Sequence, residues 1–217
     1  MNIEKNIKLL LKYIDSLPDF KIIKPEIVTP YNHMGATITD AILQAGTRWE
    51  TVVKPRILKL LKYPEAKTTK GFLNLLNKEG LKKLLDWKDK EKPARILGVV
   101  NFFIKESIKN ETDLKKWLKN NQNITRLRKL RGIGNKTVDY LKILSGISTS
   151  AIDRHLITFL QKAGININIG QYLEAQKIIN KTAERKKVEK SLFDYSLWKY
   201  MSDKESKAIL NKRKHCA

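Results

Sequence analysis

Cysteine is almost absent from this sequence, in which Cys216, next to the C-terminus, is the single example. A disulfide within the chain is therefore excluded, as are zinc and iron–sulfur sites that need several thiolates. The three histidines, at positions 33, 155 and 215, do not have the spacing of a metal-binding motif. We therefore expect no cofactor, and a reducing compartment suits the chain.

Long apolar runs are also missing. The longest, "ILGVVNFFI" at 96–104, is interrupted by Asn101 and is too short to span a bilayer. The first twenty residues are charged and amphipathic, unlike a signal peptide. We therefore expect a soluble, cytoplasmic protein that does not contact a membrane.

Acidic residues are scarce relative to basic ones. The chain has 22 Asp and Glu against 44 Lys and Arg, which gives a formal net charge of +22. Because a net charge of roughly 2–8 already keeps a small domain soluble, this excess favours a polyanionic partner: DNA, RNA or an anionic membrane. A lysine-rich composition without function, as an AT-rich genome would produce, is the alternative.

No segment gives a convincing strand pattern. "GININIG" at 164–170 alternates, but it is short and isolated, so we expect a loop or an edge there. Helical spacing covers most of the remainder, from an amphipathic helix over 3–17 onward, with a proline-interrupted stretch at 18–30. The pattern further predicts a helix N-cap at Thr68 or Thr69, a break at Gly80, a charged loop at 87–93 and Pro93 at a helix start.

The segment "LRGIGNKTVDYLKILSGISTSAIDRHL" at 130–156 carries most of the functional information. Its first part has the spacing of two short helices packed face to face, through Leu127, Leu130, Val138, Leu141 and Leu144.

The turn between these two helices contains Gly132 and Gly134, which would adopt backbone conformations closed to other residues, with Ile133 plugging the core. The second helix would begin near Asn135 and offer the unsatisfied N–H groups of its first turn to an anion. With Arg131 and nearby lysines adding charge, this arrangement predicts a clamp for a nucleic-acid phosphate. An ordinary helix–turn–helix corner is the alternative.

Lys136 and Asp153 are the candidate reactive residues. A lysine amine attacks carbon only when deprotonated, and the positive end of a helix dipole disfavours the ammonium form. Asp153 precedes a new apolar periodic run, where an aspartate is most often an N-cap and where a catalytic carboxylate has the same sequence signature. Lys136 has a simpler alternative role as a phosphate contact, and Asp139 is expected to be a solvated or dipole-facing charge.

This segment resembles the helix-hairpin-helix plus Gly/Pro-Asp motif of the DNA glycosylase superfamily that includes endonuclease III and the 8-oxoguanine glycosylases. The matching residues are Leu130, Gly132, Ile133, Gly134, Lys136, Thr137, Ile152, Asp153 and His155. The likeness is strong over roughly 125–160 and weaker but collinear elsewhere. The family's C-terminal four-cysteine cluster is missing, and "STSAI" replaces the proline that precedes its aspartate region.

The resemblance implies an all-α fold with two helical domains and an active site in the cleft between them. In this chain it implies an N-terminal helix and linker at 1–29 that pack with the C-terminal domain. A helical barrel domain at 30–134 would end in the hairpin, and a second helical domain at 135–217 would hold the catalytic aspartate and a basic tail.

The resemblance also implies roles for individual residues. Lys136 matches the Schiff-base lysine of members with lyase activity, and Asp153 matches the shared catalytic aspartate. The DNA-binding set is Arg131, Gly132, Gly134, Asn135, Thr137, Arg154, Gln44, Lys90 and Arg95. The base-pocket set is Trp198, Tyr195 and Trp49, although aromatic residues at helical spacing are more often core, as we expect of Trp87.

The expected protein is thus a monomeric base-excision-repair DNA N-glycosylase with AP (β-elimination) lyase activity, acting on double-stranded DNA that contains a damaged base. Two alternatives remain open. A non-catalytic helix-hairpin-helix DNA-binding protein would need the hairpin and the charge but neither Lys136 nor Asp153. A monofunctional glycosylase would use water in place of Lys136.

Overall fold

The computed structural model describes residues 2–214, with side chains as far as residue 205, and Cys216 lies outside this range. The described residues are helical and include no strand, so the predicted all-α class is confirmed. In chain order the α-helices are α1 (Ile3–Asp15), α2 (Met34–Leu43), α3 (Lys54–Leu60), α4 (Thr69–Glu79), α5 (Leu81–Leu85), α6 (Glu91–Lys105), α7 (Glu111–Trp117), α8 (Asn121–Leu127), α9 (Asn135–Leu144), α10 (Arg154–Lys162), α11 (Tyr172–Arg185) and α12 (Lys190–Lys214). A π-helical turn over Trp49–Val53 leads into α3.

The chain forms two compact units. The hairpin unit is Val28–Ile147, and the Asp153 unit combines the residues before Val28 with those from Ser148 onward. This division differs from the predicted boundary after Gly134, because α9 packs against α2 and buries Val138, Leu141 and Leu144 in the core of the hairpin unit. The apolar stripe of α9 therefore ties this helix to the residues that precede it.

Helix α2 is the centre of the hairpin unit. All ten of its residues are buried, and α3, α4, α6 and α9 pack around it. Gly35 allows the close approach of α4, because a Cβ there would lie 2.9 Å from the Phe72 ring. At its N-terminus the buried His33 accepts the N–H of Ala36 at Nδ1 (3.1 Å), while Nε2 bonds the carbonyl of Tyr63 (3.0 Å).

The core of the Asp153 unit includes the apolar face of α1 that the sequence predicts. Ile7, Leu10 and Ile14 are buried, and α1 packs against α11. The ring of Tyr13 meets the edge of Phe159, with 5.2 Å between centroids. Burying each such side chain stabilises the unit by about 1.5–3 kcal/mol relative to exposure.

Several local predictions can be compared directly with the helices. Thr68 caps α4, Gly80 ends it with a φ of +75°, residues 164–170 form no strand, and Trp87 belongs to the core. The predicted loop at 87–93 is too long, because α6 already begins at Glu91. The carboxylate of Asp89 accepts the N–H groups of Glu91 (2.9 Å) and Lys92 (3.2 Å) and so starts the helix early.

Pro93 lies within the first turn of α6, where its missing N–H has no intrahelical partner to lose. No helix in the part of the chain that the structure describes combines the length and the apolar character that crossing a membrane requires.

Candidate functional site

The turn between α8 and α9 is a tight hairpin, as predicted. Ile133 is buried in the core of the hairpin unit, and Leu127 and Val138 pack from the two helices. Gly132 has a φ of +79°, the left-handed conformation that glycine adopts without strain. A Cβ at Gly132 would also lie 2.6 Å from Nε of Arg95, so the Arg95 side chain would have to shift to admit a larger residue.

Gly134 does not have the special conformation that the sequence suggested. Its φ of −101° and ψ of −174° are extended backbone that other residues adopt. No atom lies within 4 Å of a Cβ built there, so the space in front of the residue is open. Gly134 is the N-cap of α9 and provides no side-chain cap, which leaves the first turn of this ten-residue helix accessible to an external acceptor.

An ion-pair cluster joins the hairpin to the first turn of α6. Glu91 binds Nη2 of Arg131 (2.5 Å) with one carboxylate oxygen and Nη2 of Arg95 (2.8 Å) with the other. The sequence did not single out Glu91, although its (i,i+4) spacing to Arg95 is a recognisable signal. The structure thus brings together three predicted DNA-binding residues, Arg131, Gly132 and Arg95.

The other predicted DNA-binding residues of the hairpin unit differ in exposure. Lys90 is exposed, and Asn135 accepts a hydrogen bond from Nη1 of Arg128 (2.8 Å). Thr137 is buried, so its side chain faces the core and its N–H belongs to the first turn of α9. The side-chain Nε2 of Gln44 is buried without a hydrogen-bond partner.

Lys92 is a basic residue of this region that sequence reasoning missed. Its ammonium group donates to the carbonyls of Leu43 (2.8 Å) and Ala45 (2.7 Å) at the C-terminus of α2. It also lies 4.9 Å from the ring centroid of Trp87, and burial lowers the pKa of Lys92. Lys92 therefore fixes the segment that carries Gln44.

Lys136 and Asp153 lie at the N-termini of two different helices. Lys136 is half-buried in the first turn of α9, within the hairpin unit. Asp153, in the other unit, caps α10, and its Oδ1 accepts the N–H groups of His155 (2.9 Å) and Leu156 (3.1 Å). The predicted N-cap role of Asp153 is therefore confirmed.

His155 connects Asp153 to α12. Its Nδ1 lies 3.4 Å from Oδ2 of Asp153, and its Nε2 lies 2.9 Å from a carboxylate oxygen of Glu205. The hydrogen bond with Asp153 is the main cause of a raised pKa for His155, with burial opposing it and Glu205 adding to it. The exposed Arg154 points Nη2 at the same Glu205 carboxylate, at 3.6 Å.

The three predicted base-pocket residues are divided between the units. Tyr195 and Trp198 stack obliquely, with 5.9 Å between ring centroids, and Trp198 meets the His155 ring edge-on at 6.5 Å. In the hairpin unit, Nε1 of Trp49 donates to Asp40 (3.2 Å). All three residues are half-buried.

Asp139 was expected to be a solvated or dipole-facing charge. It is buried, with an ion pair to Lys142 at 2.9 Å. The solvated alternative was wrong because this side of α9 lies against the rest of the hairpin unit.

Asp40 is a second buried carboxylate in the same unit that the sequence analysis did not identify. It accepts hydrogen bonds from the hydroxyls of Tyr31 (2.7 Å) and Tyr140 (3.2 Å) and from Trp49. Burial raises the pKa of Asp40 to about 6, while the three donors oppose the shift. The signal available in the sequence is an aspartate inside the otherwise uncharged helix "MGATITDAIL".

Comparison of the chain with family models, curated proteins and solved structures finds no match. Among the described side chains, no group of three or more His, Cys, Asp or Glu is placed to hold a metal ion.

Proposed function

We propose that this protein is a base-excision-repair DNA N-glycosylase with AP lyase activity, in line with the helix-hairpin-helix plus Gly/Pro-Asp pattern that its sequence resembles. The observation that carries the proposal is the hairpin geometry. Helix α9 begins at Asn135 without a side-chain cap and holds Lys136 in its first turn. An anion-binding helix terminus and an amine therefore adjoin each other on one element.

The hairpin is the proposed contact to the DNA backbone. The open space before Gly134 would admit a phosphate to the N–H groups of α9, and Arg131 and Lys90 are exposed cations of the same unit. Such contacts grip the backbone without reading the sequence. The net charge of +22 would supply further non-specific affinity, which suits a protein that must search long stretches of duplex.

The proposed chemistry begins when the damaged nucleotide is rotated out of the helix. The Lys136 amine forms a bond to C1′, and the electron pair of the C1′–N bond leaves with the base, which takes up a proton. Opening of the sugar ring gives an imine between Lys136 and C1′. Loss of a proton from C2′ then breaks the C3′–O bond and nicks the strand 3′ to the lesion. The Asp153 carboxylate would stabilise positive charge on the sugar.

This mechanism requires Lys136 of the hairpin unit and Asp153 of the other unit to act on the same nucleotide. A two-domain arrangement with the active site in the cleft is therefore part of the proposal. It is the arrangement that the family resemblance implies.

The test is a panel of duplexes that each contain one lesion, incubated with the protein and borohydride. A lysine imine would be reduced to a stable protein–DNA adduct on the lesion that is excised. We expect Lys136→Gln to bind DNA like the wild type, since one of 44 basic residues is lost, and to form no adduct. Asp153→Asn should still bind but lose turnover by on the order of 10²–10³-fold.

An adduct that persisted in Lys136→Gln would identify another amine as the nucleophile. If both variants cut like the wild type, the site assignment would be wrong.

A non-catalytic DNA-binding protein is the second candidate, and the capping geometry of Asp153 favours it. One carboxylate oxygen already accepts two backbone N–H groups, a structural role that needs no chemistry. This candidate predicts tight duplex binding with no excision or adduct on any lesion. Base release without an adduct would instead indicate a monofunctional glycosylase.

A further inference from the structure

We propose that Asp40 is a positioning residue for the reaction proposed above. Its buried carboxylate holds the rings of Tyr140 and Trp49 at the face of the hairpin unit to which Lys136 belongs. The inference rests on the proposed function, because the group that Asp40 would help to position is the Lys136 amine.

The hydrogen bonds of Asp40 converge from three separate elements. Tyr31 belongs to the segment before α2, Trp49 to the π-helical turn before α3, and Tyr140 to α9. Both carboxylate oxygens are used: Oδ2 accepts from the two tyrosine hydroxyls and Oδ1 from the indole N–H. Asp40 itself is completely buried. One fixed carboxylate thus sets the positions of three aromatic side chains.

Tyr140 provides the connection from Asp40 to Lys136. The two residues are four apart on α9, and residues with this spacing are neighbours on one face of a helix. Both side chains are half-buried. Because the Tyr140 hydroxyl is held at 3.2 Å from Asp40, the orientation of its ring on this face of α9 is fixed.

A second observation concerns Gln44, the C-cap of α2. It lies one turn after Asp40, and its Nε2 is buried without a hydrogen-bond partner. A buried amide donor without an acceptor is costly, and such groups are rare in folded proteins. An acceptor atom on a bound nucleotide would complete this hydrogen bond.

A carboxylate suits this positioning role better than its uncharged isostere. An asparagine side chain has one acceptor oxygen and an NH2 group that can only donate. Asp40→Asn would therefore either leave Nε1 of Trp49 facing an NH2 group or require both tyrosine hydroxyls to become acceptors. Either outcome changes the hydrogen bonds that hold the rings, although the volume of the side chain hardly changes.

Glu111 provides a matched control in the same unit. It is also a buried carboxylate, and it accepts the N–H groups of Asn32 (2.8 Å) and His33 (3.1 Å) at the opposite end of α2. Glu111→Gln makes the same chemical change beside α2 without touching Tyr140 or Trp49. Any general effect of removing a buried carboxylate should appear in both variants.

The experiment uses a duplex with a single abasic site, so that the identity of the damaged base does not matter. Borohydride trapping is followed in single turnovers over a range of protein concentrations, which separates the rate at saturation from the concentration giving half the maximal rate. We expect Asp40→Asn to lower the saturating rate by roughly tenfold or more, because small displacements of reacting groups have large effects on rate. The half-saturating concentration should hardly change.

Glu111→Gln should keep the saturating rate of the wild type even where it lowers thermal stability. Equal saturating rates in Asp40→Asn and Glu111→Gln would overturn the inference about Asp40. If Asp40→Asn does not fold, Tyr140→Phe tests the inference in its place, because it keeps the ring and removes the hydroxyl that Asp40 binds. A wild-type rate in Tyr140→Phe would then overturn the inference, and a reduced rate would support it.

The two proposals fail in different ways. If the wild-type protein forms no adduct on the abasic duplex, the lyase function itself is wrong. If the wild type forms the adduct and the Asp40 and Tyr140 variants do so equally fast, only the positioning role is wrong.

Discussion

Glu91 forms ion pairs with Arg95 and Arg131, two arginines that the sequence predicts to be DNA-binding residues. Its carboxylate lies within 2.8 Å of both guanidinium groups, and a bound phosphate would compete with it for the same donors. In the DNA-free protein Glu91 therefore lowers the positive potential of the hairpin and orders the two side chains. Both effects follow from a single acidic residue at the start of α6.

We expect Glu91→Gln to bind duplex DNA several-fold more tightly than the wild type and to make binding more sensitive to salt. Freeing two cations would steepen the slope of log affinity against log salt by up to about 2. Glu79→Gln is the control, because Glu79 pairs with Lys83 on the same unit and its loss changes the net charge equally. Equal effects of the two substitutions would mean that Glu91 acts only through net charge.

Asp40 should make the stability of the protein depend on pH. Its pKa in the folded protein is about 6, above the ordinary value of 3.8. As the pH rises, the unfolded state therefore releases this proton at a lower pH than the folded state does. Stability should therefore fall as pH rises from about 4 to about 6, by on the order of 3 kcal/mol. Above about pH 6 this contribution of Asp40 to stability is lost, and below about pH 4 it is fully present.

Urea unfolding of the wild type and of Asp40→Asn at pH 4 and pH 7 measures this contribution. The stability of the wild type relative to the variant should be higher at pH 4. A difference that stayed constant across this range would show that Asp40 titrates at its ordinary pKa.

Among single residues, the predictions that succeeded depended on local signals. Asp153 is an N-cap because a short acceptor side chain before a helix binds its first N–H groups. Ile133 is buried because it stands between two apolar stripes. Asp139 was misjudged because its burial depends on which side of α9 meets the core. The partners of Asp40 come from positions as distant as Tyr140, which no local pattern connects.

At the scale of elements, the hairpin contains two glycines with different physical roles. Gly132 adopts the positive φ that the turn requires and leaves space for Arg95, so it contributes to the stability of the turn. Gly134 leaves open the space before α9, where the proposed phosphate contact would lie. The sequence "GIG" alone does not separate these roles, since φ and the neighbours of a missing side chain depend on the folded chain.

The two glycines should respond oppositely to substitution. Gly132→Ala should lower the free energy of unfolding by roughly 1–3 kcal/mol, because alanine is strained at a φ of +79° and would meet Arg95. Gly134→Val should cost about 1 kcal/mol or less in stability. It should weaken duplex binding about tenfold, comparable to losing one charge-assisted hydrogen bond. Thermal unfolding and DNA titration of both variants make the comparison.

Gly98 is a suitable control, because a Cβ there also meets no atom within 4 Å. Gly98→Val should leave DNA affinity unchanged. If Gly134→Val bound DNA like the wild type, the hairpin would have only a structural role.

For the whole molecule, helix periodicity was enough to predict the all-α class, and the proline-interrupted stretch at 18–30 is indeed without an α-helix. The boundary between the units was harder to predict from the sequence. It depends on whether α9 shares its core with α2 or with later helices, and the spacing of its leucines is compatible with both. The proposed chemistry is harder still to derive from sequence, because Lys136 and Asp153 belong to different units.

The charge of the whole molecule predicts strongly salt-dependent DNA binding. If six or more phosphates are contacted, affinity should fall by about 10³-fold or more between 50 and 200 mM salt. Duplexes with and without an abasic site should give similar slopes, since phosphate contacts carry no information about the base. Affinity that stayed flat over this range would exclude the DNA-binding function.

The discontinuous Asp153 unit has a consequence for biosynthesis. Helix α1 leaves the ribosome before the hairpin unit, yet α11, against which it packs, is made only after the whole hairpin unit. The contiguous hairpin unit can therefore fold while translation continues, whereas Ile7, Leu10 and Ile14 remain uncovered in the nascent chain until α11 emerges. The unit that holds Asp153 is thus the last to be completed.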